Sequence, residues 1–195
     1  VVASVEIDKH ASKVLAKHFP NSKLFSDVQE VTGKDLIDAG FVPERGIITG
    51  GFPCQDLSVA GKRAGLAGKR SGLFWEICRI LEETRAQNFI LENVPGLLSS
   101  NGGKDMAVVI EALVKLGYRV GWRVLDAQYF GVPQRRKRVF IVGSNSYYSN
   151  PAEVLFKSEG LRRNTTQSKS QGQDSTRTIT DSVGSPVLGS GKSVA

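Results

Sequence analysis

Short apolar, β-branched runs that stop abruptly at polar or glycine residues are the feature that most constrains this chain. Residues 1–5 (VVASV) end before Glu6 and Asp8, residues 47–49 (IIT) before Gly50-Gly51, and residues 89–91 (FIL) before Glu92. Each run has the length and residue types of a buried strand. Between them lie segments with helical spacing. Ala11, Val14, Leu15 and His18 follow Asp8, a residue type suited to cap a helix N-terminus, and Pro20-Asn21 stops them. Leu73, Phe74, Ile77, Ile80 and Leu81 mark an amphipathic helix, and residues 106–116 mark another that closes at Gly117. A short strand is expected at 23–25, and a loop over 54–72. Strands alternating with helices predict an α/β fold with a largely parallel sheet. The runs at 120–125 and 139–142 have no helix between them, which predicts an antiparallel final pair.

Composition narrows the class. The 195 residues suffice for one domain, with part of a second. A net charge of +7 favours an anionic partner, with nucleic acid first in line, although a solvated basic surface is the plainer reading. Two cysteines make neither a disulfide framework nor a zinc site, and reduced thiols fit a cytoplasmic setting. No apolar stretch approaches the roughly 18 residues of a membrane helix. The opening lacks the pattern of a signal peptide, and Met106 is the only methionine, so the chain reads as a fragment that begins inside a strand. After Ser144 the composition shifts, and residues 164–195 are rich in Ser, Thr, Gln and Gly. We expect one domain over 1–145 and the weakly ordered start of another over 146–195.

Three polar features fall at the carboxyl ends of expected strands: Glu6, the Pro53-Cys54 pair, and Glu92. Open parallel sheets bind ligands on that edge. Free cysteines are often buried and inert, and Cys78, beside Ile77 and Leu81, fits that description. Cys54 fits it poorly, because its neighbours are Gly, Pro, Gln and Asp. The stretch after it carries Lys62, Arg63, Lys69 and Arg70 against the single acid Asp56. Nearby cations lower a thiol's pKa and make it nucleophilic at neutral pH. Glu92 is either a partly desolvated functional carboxylate or a surface acid capping a turn, and the segment alone leaves these even. In "GVPQRRKRVFIVG", side-chain alternation puts Arg136 and Arg138 on one face and Arg135 and Lys137 on the other. Two arginines on one face can grip a carboxylate or a base edge. His10 and His18 are the only histidines, which leaves Cys-His chemistry poorly supported.

Taken together, "GGFPCQDLSVAG", "FILENVPGLL" and "QRRKRVFIVG", in that order, with "EID" near the start and "DV" at 27–28, resemble the DNA (cytosine-5) methyltransferase family over roughly residues 1–145. The resemblance implies a Rossmann-like S-adenosylmethionine-dependent methyltransferase sheet, mostly parallel with an antiparallel final strand, incomplete at both ends. By the same resemblance, Cys54 is the thiolate that attacks C6 of cytosine. Glu92 contacts the ring N3 and the exocyclic amine, Arg136 holds the base carbonyl, and Arg138 supports Glu92. S-adenosylmethionine is bound by Glu6 at its ribose, by Ile7, Asp27 and Val28 around its adenine, and by Pro53 and Leu73 as a wall. Double-stranded DNA is the implied partner, with the target base flipped out. Gln55 and Ser58 would lie near the vacated base, and Lys62 and Arg70 would meet phosphates. No membrane and no metal are implied, and a monomer is expected at full length. The family's F-x-G-x-G turn would precede Val1, so residues 1–195 alone are expected to bind cofactor poorly and not to turn over. Two alternatives stay open: a tRNA substrate, since one branch of the family modifies RNA, and a non-catalytic DNA-binding or complementing subunit.

Overall fold

The structure is a computed structural model that describes residues 1–53, 72–147 and 149–156. Val1–Phe156 forms one compact unit. Its elements run β1 (Ala3–Val5), α1 (Lys9–His18), β2 (Lys23–Phe25), α2 (Gly33–Asp38), β3 (Ile47–Gly51), α3 (Leu73–Thr84), β4 (Asn88–Asn93), α4 (Lys104–Lys115), β5 (Arg119–Asp126), β6 (Lys137–Ser144) and α5 (Pro151–Leu155). Short 3-10 turns occupy Pro95–Leu98, Ser100–Gly103 and Ala127–Phe130. The expected loop over 54–72 lies, up to residue 71, outside the described residues.

Two sheets form. β1 and β2 pair in parallel, Ala3 opposite Lys23 and Val5 opposite Phe25. The larger sheet has the order β3-β4-β6-β5. β3 and β4 are parallel, and β6 runs antiparallel to both of its neighbours. The antiparallel pairing of β5 with β6 follows the sequence expectation. The insertion of β6 between β4 and β5 was not anticipated, because hairpin logic pairs β6 with β5 but is silent about its other edge.

Alternation places the core. Along β4, Phe89, Leu91 and Asn93 are buried on one face, while Asn88, Ile90 and Glu92 take the other. Full burial of Phe89 and Leu91 stabilises the fold by about 1.5–3 kcal/mol each. α3 meets this face through Phe74, Cys78 and Leu81, residues at helical spacing. α4 adds Met106, Val109 and Leu113, with Leu97 below them. Cys78 is therefore a core residue, as its neighbours in sequence suggest. Tyr118 stands edge-on to Phe89, with ring centroids 4.9 Å apart, and donates its hydroxyl to the Ala86 carbonyl at 2.5 Å. Gly143 is required by close approach, since a Cβ there would sit 2.1 Å from the Phe89 ring.

Helix ends follow their capping residues. Asp8 accepts from the His10 and Ala11 amides and starts α1. α4 closes through Gly117, whose φ of 88° suits glycine. β3 continues through Gly50 and Gly51 rather than stopping at them, because both pair with β4. α2 has no clear apolar period. It forms on a capping box between Thr32 and Asp35 and is tied down by α3. Beyond β6, α5 packs on β5, where Gly121 faces Pro151 and Leu155. Arg123 donates to the Leu155 carbonyl at 2.7 Å, and its guanidinium lies 5.2 Å from the Phe156 ring centre.

Candidate active site

Strand parity brings the charged groups together. Glu92 of β4 is opposite Phe140 of β6. Arg138 lies two residues from Phe140 and so projects from the same face as Glu92. Arg138 Nε stands 3.1 Å from Glu92 Oε1, and Arg136 Nη2 reaches the same oxygen at 3.5 Å. Arg138 also donates to the Lys137 carbonyl at 2.8 Å, which fixes its guanidinium. The Glu92 side chain is 43% exposed, so the carboxylate is neither a deeply buried acid nor a simple turn cap. It is open to solvent on one side and faces two guanidiniums on the other.

The backbone around this cluster is held by two residues that sequence reasoning passed over. Asn93 is buried; its amide nitrogen donates to the Phe52 carbonyl at 2.8 Å, and its side-chain oxygen accepts from the Val94 amide. The end of β4 is thereby pinned to the residue before Pro53. Asp126 is buried at the end of β5 and accepts from the amides of Gln128 and Arg136. It closes the connection that delivers Arg136 to Glu92. The signals were a polar residue directly after Glu92 and an acid ending an apolar strand, both readable as ordinary turn chemistry.

Pro53 is exposed, two residues beyond the Gly51–Glu92 pair. Phe52 is buried against Phe74, with ring centroids 5.0 Å apart, so the sequence neighbours of Pro53 and Leu73 meet at the end of β3. Cys54, Gln55, Ser58, Lys62 and Arg70 lie outside the described residues.

Glu6 and Ile7 leave β1 where Asp27 and Val28 leave β2, and the Glu6 amide donates to the Phe25 carbonyl at 3.0 Å. Glu6 accepts from the Asp8 amide at 2.8 Å, and Asp27 from the Gln29 amide at 2.9 Å. Ile7 is an apolar side chain 75% exposed. Arg79 of α3 donates to the Val28 carbonyl at 2.8 Å and pairs with Glu76 and Glu83. Glu83 in turn accepts from the Gly33 amide at 2.6 Å. The turn after β2 is thus braced by the helix that carries Leu73. Burial pulls the Glu83 pKa upward, but the Gly33 amide and the Arg79 guanidinium outweigh it and hold the carboxyl below its ordinary value.

Two carboxylates and an exposed aliphatic group at the carboxyl ends of paired parallel strands suit a nucleoside-bearing ligand, with acceptors for hydroxyls and an apolar contact for a ring. Among the described residues no group of three or more His, Cys, Asp or Glu side chains could hold a metal. None of the described helices is long and apolar enough to cross a membrane.

The fold is an α/β fold shared with solved methyltransferases. DNMT2 from Spodoptera frugiperda superposes with a TM-score of 0.59 at 24% identity, covering 77% of this chain and 44% of that one. Dnmt2 from S. pombe gives 0.57 at 21% identity, covering 82% and 48%. The family of C-5 cytosine-specific DNA methylases matches residues 1–192, and the chain belongs to it. The type II methyltransferase M.NgoBV of Neisseria gonorrhoeae is 39% identical over 150 residues, 73% of this chain and 34% of the relative. M2.BsuMI of Bacillus subtilis is 38% identical over 155 residues, 77% of this chain and 37% of the relative. The chain spans about a third of the length of these curated relatives.

Proposed function

We propose that the protein methylates C5 of cytosine in duplex DNA, with S-adenosylmethionine as the donor. The observation that carries this reading is the convergence of Arg136 and Arg138 on Glu92, on the strand next to the one that leads into Pro53-Cys54. Aromatic C5 of cytosine is a poor nucleophile. Addition of the Cys54 thiolate to C6 turns C5 into an enamine-type carbon. Glu92 receives the base through its N3 and amino edge and stabilises the charge that develops there. Arg138 holds Glu92 in place, and Arg136 binds the base carbonyl, a role its greater exposure supports. After transfer the C5 proton leaves and the cysteine is eliminated, which restores the aromatic ring. The cytosine must leave the stack to reach Cys54, and Gln55 and Ser58 take positions beside the gap while Lys62 and Arg70 meet the backbone.

When bound, S-adenosylmethionine would supply an electrophilic methyl group at its sulfonium, whose sulfur would depart as the neutral thioether. Glu6 and Asp27 offer acceptors for its ribose and adenine, Ile7 and Val28 the apolar contacts, and Pro53 and Leu73 the wall. The test is methyl transfer from labelled donor by the protein expressed from its complete coding frame. Label at C5 of cytosine in duplex DNA is expected. Transfer to tRNA and not to duplex DNA contradicts the substrate, and label on an exocyclic amine contradicts the chemistry.

A further inference from the structure

The connection between β5 and β6 is more exposed and more apolar than a hairpin connection needs to be. Residues 129–137 (YFGVPQRRK) are exposed without interruption. Phe130 is 59% exposed, with Tyr129 and Val132 close behind at 47% and 46%. Arg135, Arg136 and Lys137 are the charges of this run, and it holds no acid. The acid that precedes it, Asp126, is buried and turned inward onto the Gln128 and Arg136 amides. The tip is not loose. The Ala127 amide donates to the Arg136 carbonyl at 3.1 Å, the Gln134 amide to the Val132 carbonyl at 2.8 Å, and Gly131 takes a φ of 83°. An anchored loop that holds an aromatic side chain in water beside three cations presents both features that nucleic acids bind: phosphate charge neutralisation and apolar contact with bases.

We infer that this hairpin tip is a DNA-contacting surface, with Phe130 packing against bases next to the extruded cytosine and Arg135 meeting a backbone phosphate. The inference rests on the proposed function for the identity of the partner. Its placement follows from register. Asp126 pairs with Lys137 at the mouth of the hairpin, and Arg136, one residue beyond, reaches Glu92. The tip therefore begins beside the Glu92 carboxylate, which in the proposed function receives the flipped base. Once a base leaves the stack, its neighbours expose a face, and inserted apolar side chains such as Phe occupy such gaps in other bent or opened duplexes.

The test is fluorescence anisotropy with a labelled mixed-sequence DNA duplex, across a salt series, on the protein from its complete coding frame. Phe130→Ala should weaken binding by about 5- to 150-fold, the range for losing one base–aromatic contact, with the salt slope unchanged. Phe130→Trp should restore most of it. Arg135→Gln should flatten the slope of log affinity against log salt by about 0.9. Because Phe130 is mostly exposed, its removal should leave the thermal midpoint in place, and that melt is the control for folding. Unchanged affinity for Phe130→Ala in a protein that binds duplex overturns the inference, as does a change in self-association in its stead. A parent protein that binds no duplex overturns it together with the proposed function. Duplex binding that depends on Phe130 without methyl transfer supports the inference and sinks the proposed function alone.

Discussion

The Asn93 side-chain amide donates a 2.8 Å hydrogen bond to the Phe52 carbonyl. Beyond the Gly51–Glu92 ladder pair, this contact ties the end of β4, which carries Glu92, to the end of β3, which leads into Pro53-Cys54. It is buried, so its removal leaves a carbonyl without water to replace the lost donor. Asn93→Ala should cost about 1–3 kcal/mol of unfolding free energy. It should also lower methyl transfer by more than the folded fraction accounts for, since the strand that carries Glu92 loses its tie to the strand end that leads into Pro53-Cys54. Urea unfolding and single-turnover transfer on the same preparation check both halves. A stability loss with unaltered transfer per folded molecule contradicts the positioning role.

Arg138 and Arg136 meet the same Glu92 oxygen but from different distances, 3.1 and 3.5 Å. Arg138 is the more buried of the two and also binds the Lys137 carbonyl. Arg138→Met should therefore lower the transfer rate by about 10²–10³-fold, as for removal of one preorganised donor. Arg136→Met should raise the apparent KM for DNA as well, because the role proposed for its guanidinium is to hold the base itself. Steady-state kinetics with varied duplex separates the two, and identical effects on both parameters contradict the division of labour.

Glu83 gives the fold an acid-sensitive brace. Its folded pKa is depressed, so the unfolded state binds the proton more readily. Stability from this group is full above the ordinary glutamate range and is lost as pH falls through it, from about pH 5 downward. Glu83→Gln should flatten the fall of the thermal midpoint between about pH 5 and pH 3 relative to the parent. A parallel pair of pH curves contradicts the assignment.

Gly143 faces a fully buried ring. A Cβ there would lie 2.1 Å from Phe89, which is fully buried between Tyr118 and the rest of the core. Gly143→Ala should cost about 1–3 kcal/mol or more through overpacking. Gly143→Ala with Phe89→Leu should recover part of that loss. Chemical denaturation of the single and double variants checks the coupling, and additive effects contradict it.

How much of this was legible before the structure depends on which physical signal each part leaves in one dimension. Strand β4 and helix α3 were readable because burial on one face writes a period into Phe89, Leu91 and Phe74, Cys78, Leu81. The convergence of Arg136 and Arg138 was readable as a shared face, since parity is local. Its target, Glu92, came only from the family resemblance, because the insertion of β6 between β4 and β5 is a choice of neighbours that no local pattern records. α2 was missed for a related reason. Its apolar content is small, and it is held by the Gly33–Glu83 hydrogen bond across 50 residues of sequence. Asn93 and Asp126 were overlooked because a polar residue at a strand end looks the same whether it caps a turn or bridges two strands.

The central claim is that Cys54 attacks the cytosine ring. Its most direct test is Cys54→Ser in the protein expressed from its complete coding frame, with methyl transfer and duplex binding measured side by side. Transfer should fall by at least about a thousandfold, as for loss of a catalytic nucleophile, while duplex affinity stays within a few-fold of the parent. Transfer at the parental rate would contradict the claim.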